Sequence, residues 1–82
     1  MITINRINKL DGTSSVKAFA DVIYDGKILI KGIRIIEVGE DRFIRMPDKK
    51  EKDEKWHPIV SFLDISLRKE IEDLVLAEYE KL

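Results

Sequence analysis

The amino-acid sequence predicts an α+β domain that contains an antiparallel sheet of four to five strands and one C-terminal amphipathic helix. Alternating apolar and polar residues run through the first half of the 82-residue chain, an Asp-Gly pair joins two such runs, and a helical period begins only after residue 64. Strands that come first and a single helix that follows, without β–α–β alternation, favour an antiparallel sheet. A chain of this length is predicted to form one domain, residues 1–82.

The first two strands are predicted at about residues 2–9 and 15–24, separated by a polar segment at 11–15 that includes Thr13. The second strand has the cleaner alternation, because every second residue along it is apolar. One of its faces carries Val16, Ala18, Ala20, Val22 and Tyr24. The opposite face carries Ser15, Lys17, Phe19, Asp21 and Ile23.

Asp25-Gly26 follows the second strand directly and predicts a tight hairpin into a third strand at about residues 27–38. A type I′ turn needs positive φ at both central residues, and Asp-Gly is a preferred pair for it. Gly32 lies within the third strand, and the apolar alternation changes phase after it. A glycine combined with such a slip predicts a β-bulge or a bend at this position.

A fourth, short strand is predicted at about residues 42–46 and ends at Pro47. The next segment, DKKEKDEK, contains no apolar residue, so the sequence predicts a mobile loop over residues 47–55. Apolar character returns in a short extended segment at about residues 56–60, where Pro58 keeps the residue before it out of the helical region.

A helix is predicted at about residues 65–81, with Asp64 or Ser66 as its N-cap. Its apolar stripe can cover only one face of a small sheet, whereas the second and third strands carry apolar side chains on both faces. The other face needs a second cover, and a second copy of the chain is the simplest one, so a homodimer is predicted. The stripe consists of Leu67, Ile71, Leu74, Val75 and Leu82, with Tyr79 at its edge.

Composition narrows the classes of function. The chain has no cysteine and one histidine, so neither a disulfide framework nor a zinc site is expected, and no cofactor is predicted. The first residues lack the pattern of a signal peptide, and no apolar run approaches the roughly 20 residues of a membrane span. These features predict a cytoplasmic protein that does not enter a membrane. Because the net charge is −1, any anion-binding surface must be local.

The candidate anion-binding cluster consists of basic residues near the Met-Pro stop and at the start of the helix. If the 47–55 loop folds back beside the helix N-terminus, free backbone N–H groups and the helix dipole add to the cluster. The alternative is a solvated loop whose lysines are neutralised by Glu51, Asp53 and Glu54. The cluster residues are Arg45, Lys49, Lys50, Lys52, Lys55, Arg68 and Lys69.

Other residues with chemical potential have simpler structural interpretations. Trp56 and Phe43 can stack on nucleobases, but such aromatic residues are more often core, and Trp56 is predicted to pack under the helix. His57 has no nucleophile in a suitable motif, so a histidine packed beside Trp56 is predicted and catalysis is not. The loop contains acidic residues, but it lacks the glycine and the final glutamate that a calcium-binding loop needs, so no metal site is predicted.

Four segments together resemble the stage V sporulation protein G family, whose members are also called septation proteins. They are GIRIIE in the third strand, FIRMPDKK at the Met-Pro stop, WHPI before the helix and IEDLVLAEYEKL in the helix. The resemblance implies a small, dimeric, cytoplasmic bacterial protein without enzymatic activity. Such proteins bind DNA and RNA and regulate gene expression at the level of transcription, with effects on sporulation, septation and cell division.

The resemblance also implies which positions contact nucleic acid. The positions that match the family's basic residues are Lys49, Lys50, Arg68 and Lys69, and the match is weaker at Lys52 and Lys55. The acidic residues of the loop depart from the family pattern, because they dilute its positive charge.

The sequence therefore predicts a non-enzymatic homodimer that binds DNA or RNA, chiefly through phosphates. The alternative is a protein-interaction module in cell division or regulation, which binds a regulatory protein through its sheet edge or outer helix face and does not bind nucleic acid. The near-neutral charge and the acidic helix favour this alternative.

Overall fold

Four strands form an antiparallel meander in the computed structural model, which describes residues 1–12 and 14–82. They are β1 (Ile2–Lys9), β2 (Val16–Tyr24), β3 (Ile28–Val38) and β4 (Asp41–Arg45), hydrogen-bonded in the order β1-β2-β3-β4. A separate two-stranded sheet pairs β5 (Asp48–Lys50) with β6 (Trp56–Pro58), and α1 (Ile65–Glu80) follows. The predicted α+β class, with an antiparallel sheet and one C-terminal helix, is confirmed. The predicted break at 11–15 includes Thr13, which lies outside the described residues.

The tight hairpin between β2 and β3 has the predicted geometry. Asp25 has φ of 59° and Gly26 has φ of 67°, which are the two positive values that a type I′ turn requires. The turn is closed by the Lys27 amide, which donates to the Tyr24 carbonyl oxygen at 3.0 Å. Because this turn matches the twist of the flanking strands, it fixes the register of the two central strands of the sheet.

The bulge predicted in β3 is present at Gly32, which has φ of 81°. Val22 pairs with Ile30 and Ala20 pairs with Ile33, so β3 contains one more residue than β2 between these two pairs. The Gly32 amide donates to Oδ1 of Asp21 at 3.1 Å, which satisfies a backbone group that the bulge removes from the ladder. The extra residue returns Ile33 to the face that Ile30 occupies.

A second irregularity, between Val16 and Ala18, was not predicted. Ala18 pairs with Ile35 and Val16 pairs with Ile36, which is the next residue along β3. Neighbouring residues of a strand point to opposite faces, so Val16 shares the face of Ile36 and not that of Ala18. The prediction that Val16 and Ala18 lie on one face was therefore wrong, because strict alternation does not extend through a bulge.

The main core lies between the sheet and one side of α1. It combines apolar side chains from all four strands of the meander with three from the helix. Ile36 is also buried, with 7% of its surface exposed, but it lies on the opposite face and is not part of this cluster. The core residues are Ile2, Ala18, Ala20, Val22, Ile33, Ile35, Ile44, Ile71, Val75 and Tyr79.

The helix begins at Asp64, one of the two predicted caps, whose Oδ1 accepts from the Ser66 amide at 2.8 Å. Ile71 and Val75 of the predicted stripe are buried, and Tyr79 completes the buried row rather than lying at its edge. Leu82 was wrongly assigned to the stripe, because α1 ends at Glu80 and leaves Leu82 60% exposed. Within the described residues, no helix combines the length and the apolar character that crossing a membrane requires.

Tyr79 closes one end of the core between the two edge strands. Nζ of Lys9, from β1, lies 5.6 Å from the centre of its ring, and the Arg42 guanidinium, from β4, lies 5.2 Å away. Burial raises the pKa of Tyr79, the neighbouring Glu37 carboxylate raises that pKa further, and Arg42 lowers it. The net effect is a raised pKa, so the phenol hydroxyl of Tyr79 stays protonated. The two cations lie over the ring, where its quadrupole attracts them.

The loop predicted at 47–55 is shorter in the structure. Asp48, Lys49 and Lys50 form β5, which pairs with the extended segment that begins at Trp56, so the connecting turn contains only residues 51–55. The prediction failed because it took the absence of apolar side chains as evidence against a strand, whereas these charged residues form a strand without burying any apolar side chain. They form it through ladder hydrogen bonds and through the ion pairs that Asp48 makes with the main sheet.

Candidate nucleic-acid interface

A small hairpin carries most of the predicted basic cluster. We call residues 48–58 the lysine hairpin, because they contain four lysines on β5 and in its turn. Lys49 pairs with His57 and Lys50 pairs with Trp56 across the two strands. The turn is closed by the Glu51 amide, which donates to the Lys55 carbonyl oxygen at 3.0 Å. All four lysines, Lys49, Lys50, Lys52 and Lys55, are exposed.

Carboxylates of the same hairpin pair with two of these lysines. Nζ of Lys49 lies 3.8 Å from Glu51, and Nζ of Lys50 lies 3.0 Å from Glu54. Both pairs are largely exposed, so each contributes about 0–1 kcal/mol and a phosphate can replace the carboxylate at little cost. Lys52 and Lys55 form no ion pair within the part of the chain that the structure describes. The predicted neutralisation of the lysine charges is therefore limited to Lys49 and Lys50, and the ion pairs that produce it are weak.

Asp48 attaches the lysine hairpin to the main sheet. Its carboxylate lies 2.8 Å from a guanidinium nitrogen of Arg34 and 3.3 Å from one of Arg45, and its side chain is only 9% exposed. Arg45, a predicted site residue, therefore shares a carboxylate with Arg34. Arg34 was not among the predicted site residues, although its position in β3 between Ile33 and Ile35 already indicated that it lies on the face opposite the core.

Arg68 has a structural contact that the sequence does not reveal. Its Nη2 donates to the carbonyl oxygen of Ile44 at 3.2 Å, while the Ile44 amide donates to Oε2 of Glu72 at 3.2 Å. Arg68 and Glu72 also lie 3.7 Å apart. Because β4 is an edge strand, the helix satisfies both backbone groups of Ile44 with two of its side chains and so covers this part of the edge.

Glu72→Ala should lower the free energy of unfolding by about 1 kcal/mol, because the Ile44 amide loses its acceptor beside the core. Glu72→Gln should recover most of this loss, because the glutamine amide oxygen can also accept. Urea denaturation followed by circular dichroism gives the comparison. The matched control is Asp73→Ala, which removes only an exposed partner of Lys69 at 3.4 Å and should change stability by less than about 0.5 kcal/mol. Equal losses in the Glu72→Ala and Asp73→Ala variants would contradict this account of the edge.

Lys69, another predicted site residue, forms its ion pair within α1. Its Nζ lies 3.4 Å from Asp73, four residues further along α1. Arg68, in contrast, lines a groove that Arg45 also lines. The cluster is therefore divided into the lysine hairpin, the pair Arg45 and Arg68 beside it, and Lys69 on the helix.

Trp56 is not packed under the helix, which corrects the sequence-based prediction. It is 54% exposed and lies on β6, where the Arg34 guanidinium approaches to 5.8 Å from its ring centre. Phe43 is also not core, with 39% of its surface exposed. The prediction failed because the separate hairpin holds Trp56 beside the sheet rather than between the sheet and the helix.

His57 contacts an acidic residue of the turn. Its Nε2 lies 3.1 Å from Oδ2 and 3.2 Å from Oδ1 of Asp53. Adjacent residues of a strand point to opposite sides, so His57 faces away from Trp56 rather than packing beside it as predicted. In the described ranges, 1–12 and 14–82, no three histidine, aspartate or glutamate residues are grouped so that they could hold a metal ion.

Comparison with known proteins gives one consistent result. The family model described as SpoVG matches residues 1–81. A protein named "Putative septation protein SpoVG" from Symbiobacterium thermophilum is 34% identical over 96% of this chain, which spans 56% of that relative's length. Relatives with the same name from Clostridium acetobutylicum and Archaeoglobus fulgidus are 34% and 32% identical over 98% of the chain, which spans 84% and 94% of their lengths.

Proposed function

The chain belongs to the SpoVG family, and from this premise we propose that it is a non-enzymatic regulator that binds DNA or RNA as a homodimer. Its relatives are named as septation proteins, so we extend the proposal to a regulatory role in septation or sporulation. A nucleic-acid partner would be met in the cytoplasm, which is where we propose that the protein acts.

The observation that carries this proposal is the density of exposed cations on the lysine hairpin. Four lysines lie within the seven residues 49–55. The two that form ion pairs do so with exposed carboxylates, and such pairs exchange readily for phosphate contacts. Arg45 and Arg68 lie beside the hairpin and extend the positive surface onto β4 and α1. Phosphate contacts of this kind support binding with a strong dependence on salt and a modest preference for sequence.

The first test compares two triple variants that carry the same net charge. Lys49, Lys52 and Lys55 are changed to Gln in the hairpin variant, and Lys27, Lys31 and Lys81 are changed to Gln in the control. Fluorescence anisotropy of a labelled duplex is measured over a series of salt concentrations. The hairpin variant should bind more weakly and should flatten the slope of log K against log salt by about 0.9 for each phosphate that is no longer neutralised. The control should keep the wild-type slope, and identical slopes in all three proteins would remove the hairpin from the interface.

The dimer is part of the proposal because this chain covers the sheet face away from α1 only in part, where the lysine hairpin contacts Arg34. We call the face away from α1 the outer face. Phe19 and Leu29 on this face are 36% and 49% exposed, although both belong to the main sheet. A two-fold contact through this face would cover them and would present two lysine hairpins to one nucleic acid.

A second candidate function is the protein-interaction module. The observation that favours it is an exposed apolar segment where the chain enters α1, since Leu63 and the first helical residue, Ile65, are 102% and 83% exposed. In this alternative, the sheet edge or the outer face of α1, on which Ile65 is exposed, binds a regulatory protein, and the lysines have no role in binding. The absorbance ratio at 260 and 280 nm after one purification step at low salt separates the two candidates, because only a nucleic-acid binder retains bound nucleic acid.

A further inference from the structure

A groove with aromatic walls lies next to the lysine hairpin. It lies between β4, β6 and the start of α1, and its volume is about 620 Å³. This volume falls within the range of small-molecule sites, roughly 300–1,000 Å³. We call it the aromatic groove, and the residues that matter here are Phe43, Arg45, Asp48, Trp56, Ser61 and Arg68.

Trp56 is held in a defined position although it is more than half exposed. The Arg34 guanidinium lies 5.8 Å from the ring centre, and Arg34 is itself fixed by Asp48 at 2.8 Å. Arg34 does not line the aromatic groove, whereas Trp56 does, so the ring is supported from outside the groove and presents another part of its surface within it. A supported, exposed aromatic ring is a suitable surface for stacking, because little side-chain entropy remains to be lost on binding.

The charges around the aromatic groove fit an anion that carries a flat apolar group. Arg45 and Arg68 are positive, and Asp48 is the acidic residue of the lining. The Asp48 carboxylate is shared between Arg34 and Arg45, and Glu72 lies 3.7 Å from Arg68, so three guanidinium groups face two carboxylates and one positive charge is in excess. An aromatic wall next to a net positive rim matches a nucleobase that remains attached to its phosphate.

Resting on the proposed nucleic-acid binding, we propose that the aromatic groove takes one unpaired nucleobase of a single strand, stacked on Trp56 with its phosphate beside Arg45. In a duplex, both faces of every internal base are covered by neighbouring bases, and extracting a base costs several kcal/mol. An unpaired base has no such cost and can enter the groove directly. The lysine hairpin then supplies contacts that both kinds of strand can use, and Trp56 supplies a contact that favours the single strand.

The test uses Trp56 itself as the reporter, since it is the only tryptophan in the chain. Intrinsic fluorescence is followed while the protein is titrated with oligothymidine or oligouridine of about 12 nucleotides, within the site sizes of single-strand binders. A duplex of the same length serves as the comparison, and anisotropy of a labelled strand reports total binding. The single strands should quench Trp56 as they bind, and the duplex should bind without comparable quenching.

Variants at the same position give an independent measure. Trp56→Leu should weaken single-strand binding by roughly 5- to 150-fold, which corresponds to the loss of one stacked base, and should weaken duplex binding much less. Trp56→Phe keeps a ring and should recover much of the affinity. Circular dichroism checks that each variant is folded, as expected for an exposed side chain.

The outcomes separate this inference from the proposed function. Binding to single strands without quenching, and with equal affinity in the Trp56→Leu variant, would overturn the stacked base and leave nucleic-acid binding intact. An absence of binding to every strand and duplex at low salt would overturn both. Quenching together with a selective loss in Trp56→Leu would support both.

Discussion

Replacing Ile33 with alanine should lower the free energy of unfolding by about 2–5 kcal/mol. Ile33 is fully buried, lies on β3 directly after the bulge, and belongs to the core between the sheet and α1. The loss combines the transfer free energy of the deleted carbons with the cavity they leave, because a close-packed core relaxes only in part. A domain of 82 residues has a stability of roughly 4–12 kcal/mol, so this loss is a substantial fraction of the total.

The matched control is Ile28→Ala, since it makes the same chemical change on the same strand. Ile28 is 55% exposed, so its replacement should alter stability by less than about 0.5 kcal/mol. Urea denaturation of the three proteins at one concentration measures both differences. Similar losses in Ile33→Ala and Ile28→Ala would mean that Ile33 does not point into the core. The bulge at Gly32 would then not have the effect on side-chain direction that is described above.

The main sheet could be predicted from the sequence because local signals determined it. Asp25-Gly26 specified the turn, alternation specified the faces of β2 beyond its first residues, and Gly32 marked the bulge, each within a few neighbouring residues. The irregularity at Val16 gave no such signal, since no glycine marks it, and the face of that residue was predicted wrongly. Local patterns therefore predicted the architecture of the meander but not every detail of its register.

The candidate site was less predictable because its geometry depends on contacts between distant segments. β5 has no apolar side chain, and the Arg34–Asp48 ion pair that anchors it joins residues fourteen positions apart. The hydrogen bond from Arg68 to the Ile44 carbonyl oxygen joins residues 24 positions apart. Arg68 therefore has a structural contact, although its charge alone indicated only phosphate binding. Trp56 was expected in the core because it is large and apolar, and only the placement of the hairpin explains its exposure. Residue types thus identified the cluster of lysines, whereas the hairpin that carries them and the aromatic groove required the tertiary structure.

Phe19→Glu should convert the proposed homodimer into monomers. Phe19 lies on β2, in the middle of the outer face, and pairs there with Asn8 on one side and Arg34 on the other. A two-fold contact through this face would bury both copies of Phe19, so the substitution would bury two carboxylates at the same interface. Loss of a central aromatic side chain alone typically costs about 2 kcal/mol or more, and the buried charge adds to it.

Sedimentation equilibrium should give twice the chain mass of 9.6 kDa for the wild type and the chain mass itself for Phe19→Glu. Phe19→Leu is the matched control, because it keeps an apolar side chain and should remain largely dimeric. Circular dichroism should be the same for all three proteins, since Phe19 is outside the main core. A wild type that sediments as a monomer at every concentration would refute the dimer directly.

The same variant should also bind nucleic acid more weakly, although it changes no residue of the lysine hairpin. A dimer presents two hairpins, so the second contact forms at a high effective concentration once the first is made. A monomer loses this gain, which can reach about 10²–10⁴-fold when the geometry allows both contacts. Anisotropy with a strand long enough for two hairpins should therefore show a large loss for Phe19→Glu, and a strand that reaches only one hairpin should show a small one. Equal losses on the two strands would mean that the outer face itself contacts nucleic acid, rather than bringing two copies of the chain together.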